Sequence, residues 1–318
     1  MAKYILKRII YMVLILLGVS LILYVLLRCM PLNYIEARMS DLAGKGVEVG
    51  DLKQKLEAAY GLDKGIIEGY FAWLGNALRL DFGTSFRNNH EVLSDIFTAD
   101  KIGTSFLVAF VATIFEFMIA IPLGVTAATH QYSIRDYVVT VLVLIGISLP
   151  SFFFAQILKD IFANKLEWFS SGGMEQSGLS LYTMFLPILT VVILSIGGRM
   201  RLTRTNMLEV LNADYIRTAR AKGLNERKVI YKHAFRNTLI PIVTGLAGLI
   251  PSLFSGAMIT EEVFSLTGIG QFALRAMMEG DIPVIMAYNM FLAFLSVLGV
   301  LLSDLMYGLV DPRVKLTA

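Results

Sequence analysis

Six long apolar stretches, separated by polar segments, dominate the chain. A helix that crosses the hydrocarbon core of a bilayer needs about 20 consecutive, mostly apolar residues. The stretches that meet this requirement are 9–27, 103–128, 137–158, 181–198, 240–260 and 284–310. They contain two carboxylates, Glu116 and Asp304, and no Lys or Arg. No run of alternating residues is long enough for barrel strands, so the pattern predicts an all-α polytopic membrane protein with six transmembrane helices.

The composition agrees with a membrane environment, and it argues against disulfide, metal and catalytic sites in this chain. Apolar residues make up 56% of the 318 residues and charged residues 17%, whereas soluble domains average about 45–50% and about 25%. One cysteine excludes an intrachain disulfide framework, and the three histidines have no partners at ligand spacing. The spans contain no Ser/His/Asp, HExxH or paired-carboxylate constellation. We therefore expect no metal site, no catalytic residue and no enzymatic activity in this chain.

The distribution of charge predicts the orientation of the spans. Three basic residues precede the first apolar run, which has no small-residue cleavage site after it and is interpreted as an uncleaved span. With a cytoplasmic N-terminus, segments 1–8, 129–136, 199–239 and 311–318 carry a net charge of +11, and the segments on the opposite side carry −6. Because cytoplasmic loops carry an excess of Lys and Arg, both termini are predicted to be cytoplasmic.

The first outer loop, 28–102, is long enough to form structure of its own. Apolar residues recur at helical spacing in Asp51–Tyr60 and in Ile66–Leu80, with a break at Gly61. The second of these segments is amphipathic. Two interpretations remain open, a small helical cap packed on the outer face or a surface that contacts a partner.

The cytoplasmic segment 199–239 is the most informative part of the chain. It carries ten Lys and Arg residues against three acidic residues. Orientation in the membrane requires only an excess of Lys and Arg on the cytoplasmic side, and neither the length of this loop nor its helical signals is needed for that. One interpretation is a short helix that docks into a cleft of another protein, and the other is a solvated basic loop that binds anionic lipid headgroups.

Local signals within this segment predict two short helices. Asn212 is a candidate N-cap for a helix that runs to Lys222, and Gly223 is a candidate stop. Asn225 is expected to cap a second helix that runs to Arg236.

Segment 213–240 resembles the cytoplasmic "EAA" loop of permease subunits in binding-protein-dependent ABC importers. More narrowly, the chain resembles the first-subunit type of the oligopeptide/dipeptide/nickel permease family. The other matching segments, in the family's order, are LKRIIYM near the N-terminus, Tyr60–Asp63, Trp73–Asn76, Asp81–Ser85, Ile121–Val125 with Ala127 and Ala128, Glu262–Ser265, Gly268–Gly270, Asp281–Val284, Asp304 with Leu305, Tyr307, and Asp311–Arg313. Each match is short, but together they cover nearly the whole chain.

The resemblance implies the six-helix fold of type I ABC importer permeases. It divides the chain into an N-terminal helix with an outer loop domain (1–102), a transmembrane core (103–310) and a cytoplasmic tail (311–318). It also implies a coupling helix that sits in a groove of an ATPase subunit. The residues of that helix are Asp214, Tyr215, Ile216, Arg217, Thr218, Ala219, Arg220, Ala221, Lys222, Gly223 and Leu224. The general motif has proline thirteen residues after this glycine, whereas Arg236 stands here, which is a feature of the first-subunit type.

The family further implies the function and the partners. The chain would be the permease subunit of a peptide importer in a bacterial or archaeal cell membrane, surrounded by membrane lipid and without a nucleic-acid partner. Its partners would be a second homologous permease, two cytoplasmic ABC ATPases and an extracytoplasmic solute-binding protein. The chain has no GxxxxGK[ST] phosphate loop, so ATP and Mg are expected on the ATPases and no cofactor on this chain. The alternatives are import of nickel or a metal chelate, and a self-sufficient channel or secondary transporter.

Three residues within the apolar stretches are candidates for the translocation path: Glu116, Pro150 and Pro251. An intramembrane carboxylate is costly and usually faces a bundle interior or an aqueous cavity, so Glu116 could favour cationic substrates. The alternative is a glutamate held at a helix interface. Proline removes a backbone hydrogen bond and can kink a helix around a cavity. For Asp304, near the cytoplasmic end of the last span, packing is the preferred interpretation.

Overall fold

The computed structural model describes residues 2–29, 44, 60–88, 90–172 and 180–310. Within these ranges the chain is helical, and the β-type pairing there is an isolated bridge between Thr84 and Glu91. The all-α class is therefore confirmed for the part of the chain that the structure describes. Residues 51–59 of the first predicted outer helix and the predicted tail 311–318 lie outside the described residues.

The helices are numbered in chain order. The first seven are α1 (Ala2–Cys29), α2 (Ile66–Leu78), α3 (Val92–Ile96), α4 (Ala99–Thr129), α5 (Ile134–Ser148), α6 (Ser151–Leu158) and α7 (Leu181–Leu211). The next seven are α8 (Asp214–Ala221), α9 (Glu226–Lys228), α10 (Phe235–Leu246), α11 (Ile250–Ser255), α12 (Met258–Val263), α13 (Ile269–Glu279) and α14 (Ile282–Val310). π-Helical segments, Lys159–Lys165 and Val229–Ala234, continue α6 and α9, and a 3₁₀ turn, Ala247–Leu249, follows α10.

Among the described residues, four helices are long and apolar enough to cross a membrane. They are Leu6–Cys29, Ala99–Thr129, Tyr182–Leu211 and Ile282–Leu305. A fifth candidate is the pair Ile134–Ser148 and Ser151–Lys165, whose axes meet at 99°. The bend falls at Pro150, and Leu149 before it is extended with ψ of 128°, as expected for a residue that precedes proline.

The predicted span 240–260 is broken into shorter helices. It comprises most of α10, the 3₁₀ turn, α11 and the start of α12. Pro251 lies in the first turn of α11, and Gly256 after that helix has φ of 71°. Since proline and a left-handed glycine both interrupt helical hydrogen bonding, this stretch contains no single helix of spanning length.

The described residues fall into two compact units. One unit contains the residues up to Ile102 together with Phe272–Leu298. Its core near the outer end of α1 is aromatic, because Tyr24 and Trp73 stack with ring centroids 5.7 Å apart and Tyr70 lies edge-on to Tyr24. Aromatic pairs of this geometry stabilise a core beyond their buried area.

The other unit contains Gly103–Gln271 and the residues from Gly299. Within it α7 packs against α5, α6 and α10. A salt bridge joins α5 to α7, with Arg204 Nη2 2.8 Å from Asp136 Oδ2. Helix α4 packs closely on α7 at Gly124, where a Cβ atom would lie 2.6 Å from Cβ of Thr203. Small residues allow such close helix packing in membranes.

Candidate functional site

The short helix α8, which the sequence predicts to be cytoplasmic, is held in place by two buried side chains. Ile216 is fully buried and Ala219 is nearly so. Both belong to an apolar cluster with Val125 from α4, Met207 from α7 and Val229 from the π-helical segment. These contacts seat α8 against the ends of the surrounding helices.

The opposite side of α8 is exposed. The other predicted coupling residues, Asp214, Tyr215, Arg217, Thr218, Arg220, Ala221, Lys222, Gly223 and Leu224, are all exposed. Tyr215 is an aromatic side chain with 48% of its surface accessible. Helix α8 therefore has an anchored apolar side and a basic, hydroxyl-bearing side that is open to a partner. The coupling role of these residues stays a prediction.

Gly223 terminates α8 in a left-handed conformation with φ of 73°. Its N–H donates to the carbonyl of Arg220 at 2.9 Å, and the N–H of Leu224 donates to the carbonyl of Ala219 at 3.4 Å. This pair of bonds defines a Schellman motif. A Cβ atom on Gly223 would have open space around it, so the positive φ, rather than crowding, makes glycine favourable here.

The turn after α8 is fixed by an ion pair and a cap. Nη2 of Arg220 donates to Oε1 of Glu226 at 2.7 Å. This hydrogen bond from Arg220 lowers the pKa of Glu226. The side chain of Asn225 accepts from the N–H of Arg227 at 2.9 Å, so the predicted cap at Asn225 is confirmed.

The boundaries of the predicted segment 199–239 differ from the observed ones. Helix α7 continues to Leu211, and α10 already begins at Phe235. Asn212 does not cap α8; it follows α7, and its side chain donates to the carbonyl of Leu208 at 3.0 Å. Because α7 extends beyond its apolar run, Ala213 becomes the N-cap residue of α8.

Glu116 forms an ion pair at a helix interface. Its Oε1 lies 3.1 Å from Nε of Arg199 on α7, and both side chains are largely buried. The guanidinium of Arg199 also lies 4.4 Å from the ring centroid of Phe117. Sequence reasoning missed this pair because it ended the fourth span at Gly198 and assigned Arg199 to the loop.

Pro150 and Pro251 both lie at helix breaks. Pro150 precedes α6 at the 99° bend, and Pro251 lies in the first turn of α11. Their placement agrees with the expectation that proline interrupts apolar helices. A role for these residues or for Glu116 along a translocation path stays a prediction.

A buried carboxylate organises the segment 256–271, and sequence reasoning did not find it. Oε1 of Glu261 accepts from the N–H of Ala257 at 3.1 Å, and Oε2 accepts from the N–H of Gln271 at 2.8 Å. Cβ atoms placed at Gly256, Gly268 or Gly270 would each collide with this carboxylate. The glycines lie in and beside a segment that the family resemblance singles out, but their common neighbour was not evident from the sequence.

These features define a class of protein, a multi-pass membrane protein with a short amphipathic helix packed against the ends of its long apolar helices. Residues 120–316 match the family of binding-protein-dependent transport system inner membrane components. The chain belongs to this family.

Several relatives are similar over most of their length. The oligopeptide transport system permease protein AppB of Bacillus subtilis is 36% identical over 99% of this chain and 100% of the relative. The dipeptide transport system permease protein DppB of the same organism is 33% identical over 99% of each chain. The oligopeptide transport system permease protein OppB of Haemophilus influenzae is 32% identical over 83% of this chain and 86% of the relative.

Proposed function

We propose that this chain is the membrane-spanning permease subunit of an ATP-driven importer for short peptides. The observation that carries the proposal is the similarity, over 99% of the chain, to transport permeases named for oligopeptides and dipeptides. The exposed face of α8 supports it, because a permease that lacks a nucleotide site needs a surface through which a separate ATPase acts.

The proposed machine contains a second homologous permease, two cytoplasmic ABC ATPases that bind ATP and Mg, and an extracytoplasmic solute-binding protein. The chain itself has no catalytic role. It crosses the bacterial or archaeal cell membrane six times, with both termini in the cytoplasm. In this arrangement the bent pair α5–α6 forms one crossing, and the broken segment from α10 to α11 forms another.

The proposed mechanism is alternating access. ATP binding closes the two ATPases, and α8 moves with the ATPase that holds it. Because Ile216 and Ala219 connect α8 to the cluster at the ends of α4 and α7, its displacement is transmitted to the spans. The pathway then opens outward, the binding protein releases its peptide, and ATP hydrolysis returns the spans to the inward-open state.

Peptide uptake by cells that express the whole machine tests the proposal. The chain, its paired permease, the ATPases and the binding protein are expressed in a host that lacks its own peptide and nickel permeases. We expect uptake of a radiolabelled tripeptide that requires every component and disappears when this chain is omitted. Uptake of nickel without uptake of peptide would assign the machine to metals, and peptide uptake that persists without this chain would refute the proposal.

A further inference from the structure

Helix α2 runs alongside the outer half of α1 rather than above its end. Nη2 of Arg28, near the end of α1, donates to the carbonyl of Gly61 at 2.6 Å. Two turns earlier on α1, Ser20 Oγ lies 2.9 Å from the hydroxyl of Tyr70 in α2. One turn earlier again, Leu16 lines the same cavity as Ala77 at the end of α2. Residues 28 to 16 of a helix span about 18 Å, so the segment from Gly61 to the end of α2 descends beside α1 over that distance.

Close packing holds the two helices in this register. At Gly69 of α2, a Cβ atom would collide with the hydroxyl of Tyr24 and lie 2.6 Å from Nη2 of Arg28. The hydroxyl of Tyr24 donates to the carbonyl of Tyr60 at 3.0 Å. The position of α2 along α1 is therefore set by bonds at several levels of both helices.

Most of the accessible side chains at this level are apolar on both helices, and Glu68 near the start of α2 is an exposed acidic exception. Ile22 and Leu26 of α1 are about 60% exposed, and Ile67, Phe71 and Leu78 of α2 are 75%, 63% and 78% exposed. With a cytoplasmic N-terminus, on which this inference rests as proposed above, α1 is a span and this shared apolar surface would lie at the depth of the outer leaflet. A segment expected in the outer loop thus has the surface of a membrane-embedded helix.

A cavity of about 620 Å³ lies at the deep end of α2. Four phenylalanines and several aliphatic side chains line it, and Ser94 is the polar side chain among the described lining residues. The Ser94 hydroxyl already donates to the carbonyl of Glu91 at 2.8 Å. An apolar cavity of this kind offers water few hydrogen-bond partners, and its volume lies in the range of ligand pockets.

The cavity opens on exposed apolar surface. Phe294, which lines it, lies within the last candidate span and is 49% exposed. Leu80 lines the cavity after the end of α2 and is also largely exposed. The exposed Arg79 precedes Leu80, so a cationic group that can pair with a phosphate is adjacent in the chain.

We propose that α2 lies in the outer leaflet and that the cavity bounded by Leu16, Ala77 and Phe294 holds one acyl chain of a membrane phospholipid. An acyl chain fits this cavity because the lining has almost no polar side chain. The mouth opens on the exposed apolar surface of a candidate span, and the volume suits a flexible hydrocarbon. A bound chain would fill the space between α1, α2 and α14 and so hold α2 in place.

Photocrosslinking on the full chain in native membranes tests the proposal. A photoreactive phenylalanine analogue replaces Phe294 in the cavity, and in a matched control protein it replaces Phe71 on the outer face of α2. Both samples are extracted in detergent and washed free of bulk lipid before irradiation, and the adducts are identified by mass spectrometry. We expect a phospholipid adduct at position 294 even after washing. At position 71 we expect no phospholipid adduct, because washing removes the lipid there before irradiation.

Cavity-filling variants provide the second arm. Ala77→Leu and Ala287→Leu each add a larger side chain to the lining, and we expect either one to abolish the lipid adduct at position 294. A thermal unfolding transition like that of the wild type identifies a variant that folds. Two variants are used so that the test still holds if one of them does not fold. Three results would overturn the proposal. The first is an adduct at position 294 to a polypeptide, and the second is a lipid adduct there that washing removes as readily as at position 71. The third is a lipid adduct that persists in both folded cavity-filling variants.

Discussion

Ser105 near the start of α4 and Glu261 in α12 form a buried hydrogen bond between residues 156 positions apart in the chain. The Ser105 hydroxyl donates to Oε1 of Glu261 at 2.7 Å. The same hydroxyl accepts from the N–H of Ile269 at 2.9 Å. Ser105 thus joins the carboxylate to the backbone of the segment that follows α12, and it ties that segment to α4.

Removal of this hydroxyl should destabilise the segment 256–271. Ser105→Ala leaves a buried carboxylate and a buried N–H each without one partner, and an unsatisfied buried group costs about 1–3 kcal/mol. We expect a lower temperature of thermal unfolding in detergent and faster proteolysis within this segment. The matched control is Ser148→Ala, because Ser148 is exposed and its hydroxyl donates to Leu144 of its own helix. Equal stability of the two variants would contradict the assigned role of Ser105.

Glu261 should make stability depend on pH. Burial raises the pKa of Glu261 in the folded protein, whereas an unfolded glutamate titrates near about 4.3. A raised pKa means that the folded state binds the proton more tightly, so this contribution is fully present below the unfolded pKa and is lost as pH rises through the folded one. The stability of the wild type relative to Glu261→Gln should therefore fall as pH rises from the pKa of the unfolded glutamate through that of the folded one.

Unfolding temperatures of both proteins between about pH 4 and pH 8 test this expectation. Glu209→Gln serves as the control, since Glu209 is an exposed glutamate near the end of α7. If the difference between the wild type and Glu261→Gln were constant over this range, the buried carboxylate would not be the titrating group.

The local features that the sequence predicted correctly depend on residues that are close together along the chain. The stop of α8 at Gly223 and the cap at Asn225 are signals within one helical turn, and both are present in the structure. The pair of Glu116 with Arg199 was missed because hydropathy falls at Gly198, although α7 continues to Leu211. The carboxylate of Glu261 meets its partner only when distant segments fold together, which no local pattern reports.

Gly223 provides a test of the coupling helix. Gly223→Ala places a Cβ atom on a residue with φ of 73°, which costs about 1–2 kcal/mol for an L-residue in this region. We expect the end of α8 to unwind, and peptide-stimulated ATPase activity of the complete complex to fall while the spans stay folded. Gly198→Ala is the control, because Gly198 lies within α7 and has open space for a Cβ atom. Wild-type ATPase stimulation in the Gly223 variant would argue against the assigned role of α8.

The pair of Glu116 and Arg199 distinguishes an interface role from a role in substrate selection. Both side chains are largely buried, and removal of one member of a buried pair costs about 3–5 kcal/mol because it strands the other charge. Glu116→Gln should therefore lower the unfolding temperature, and exchange of the two residues, Glu116→Arg with Arg199→Glu, should recover part of the loss.

If Glu116 acts only at this interface, uptake of cationic, neutral and anionic peptides should fall in the same proportion in Glu116→Gln. A selective loss of cationic peptide uptake would instead place the carboxylate on the translocation path. The exchanged variant separates the two roles further, since an interface pair works in either orientation, whereas a path-lining carboxylate replaced by arginine should reverse the preference for peptide charge. Uptake of the three peptide classes, measured in the wild type and both variants at equal expression, decides between these outcomes.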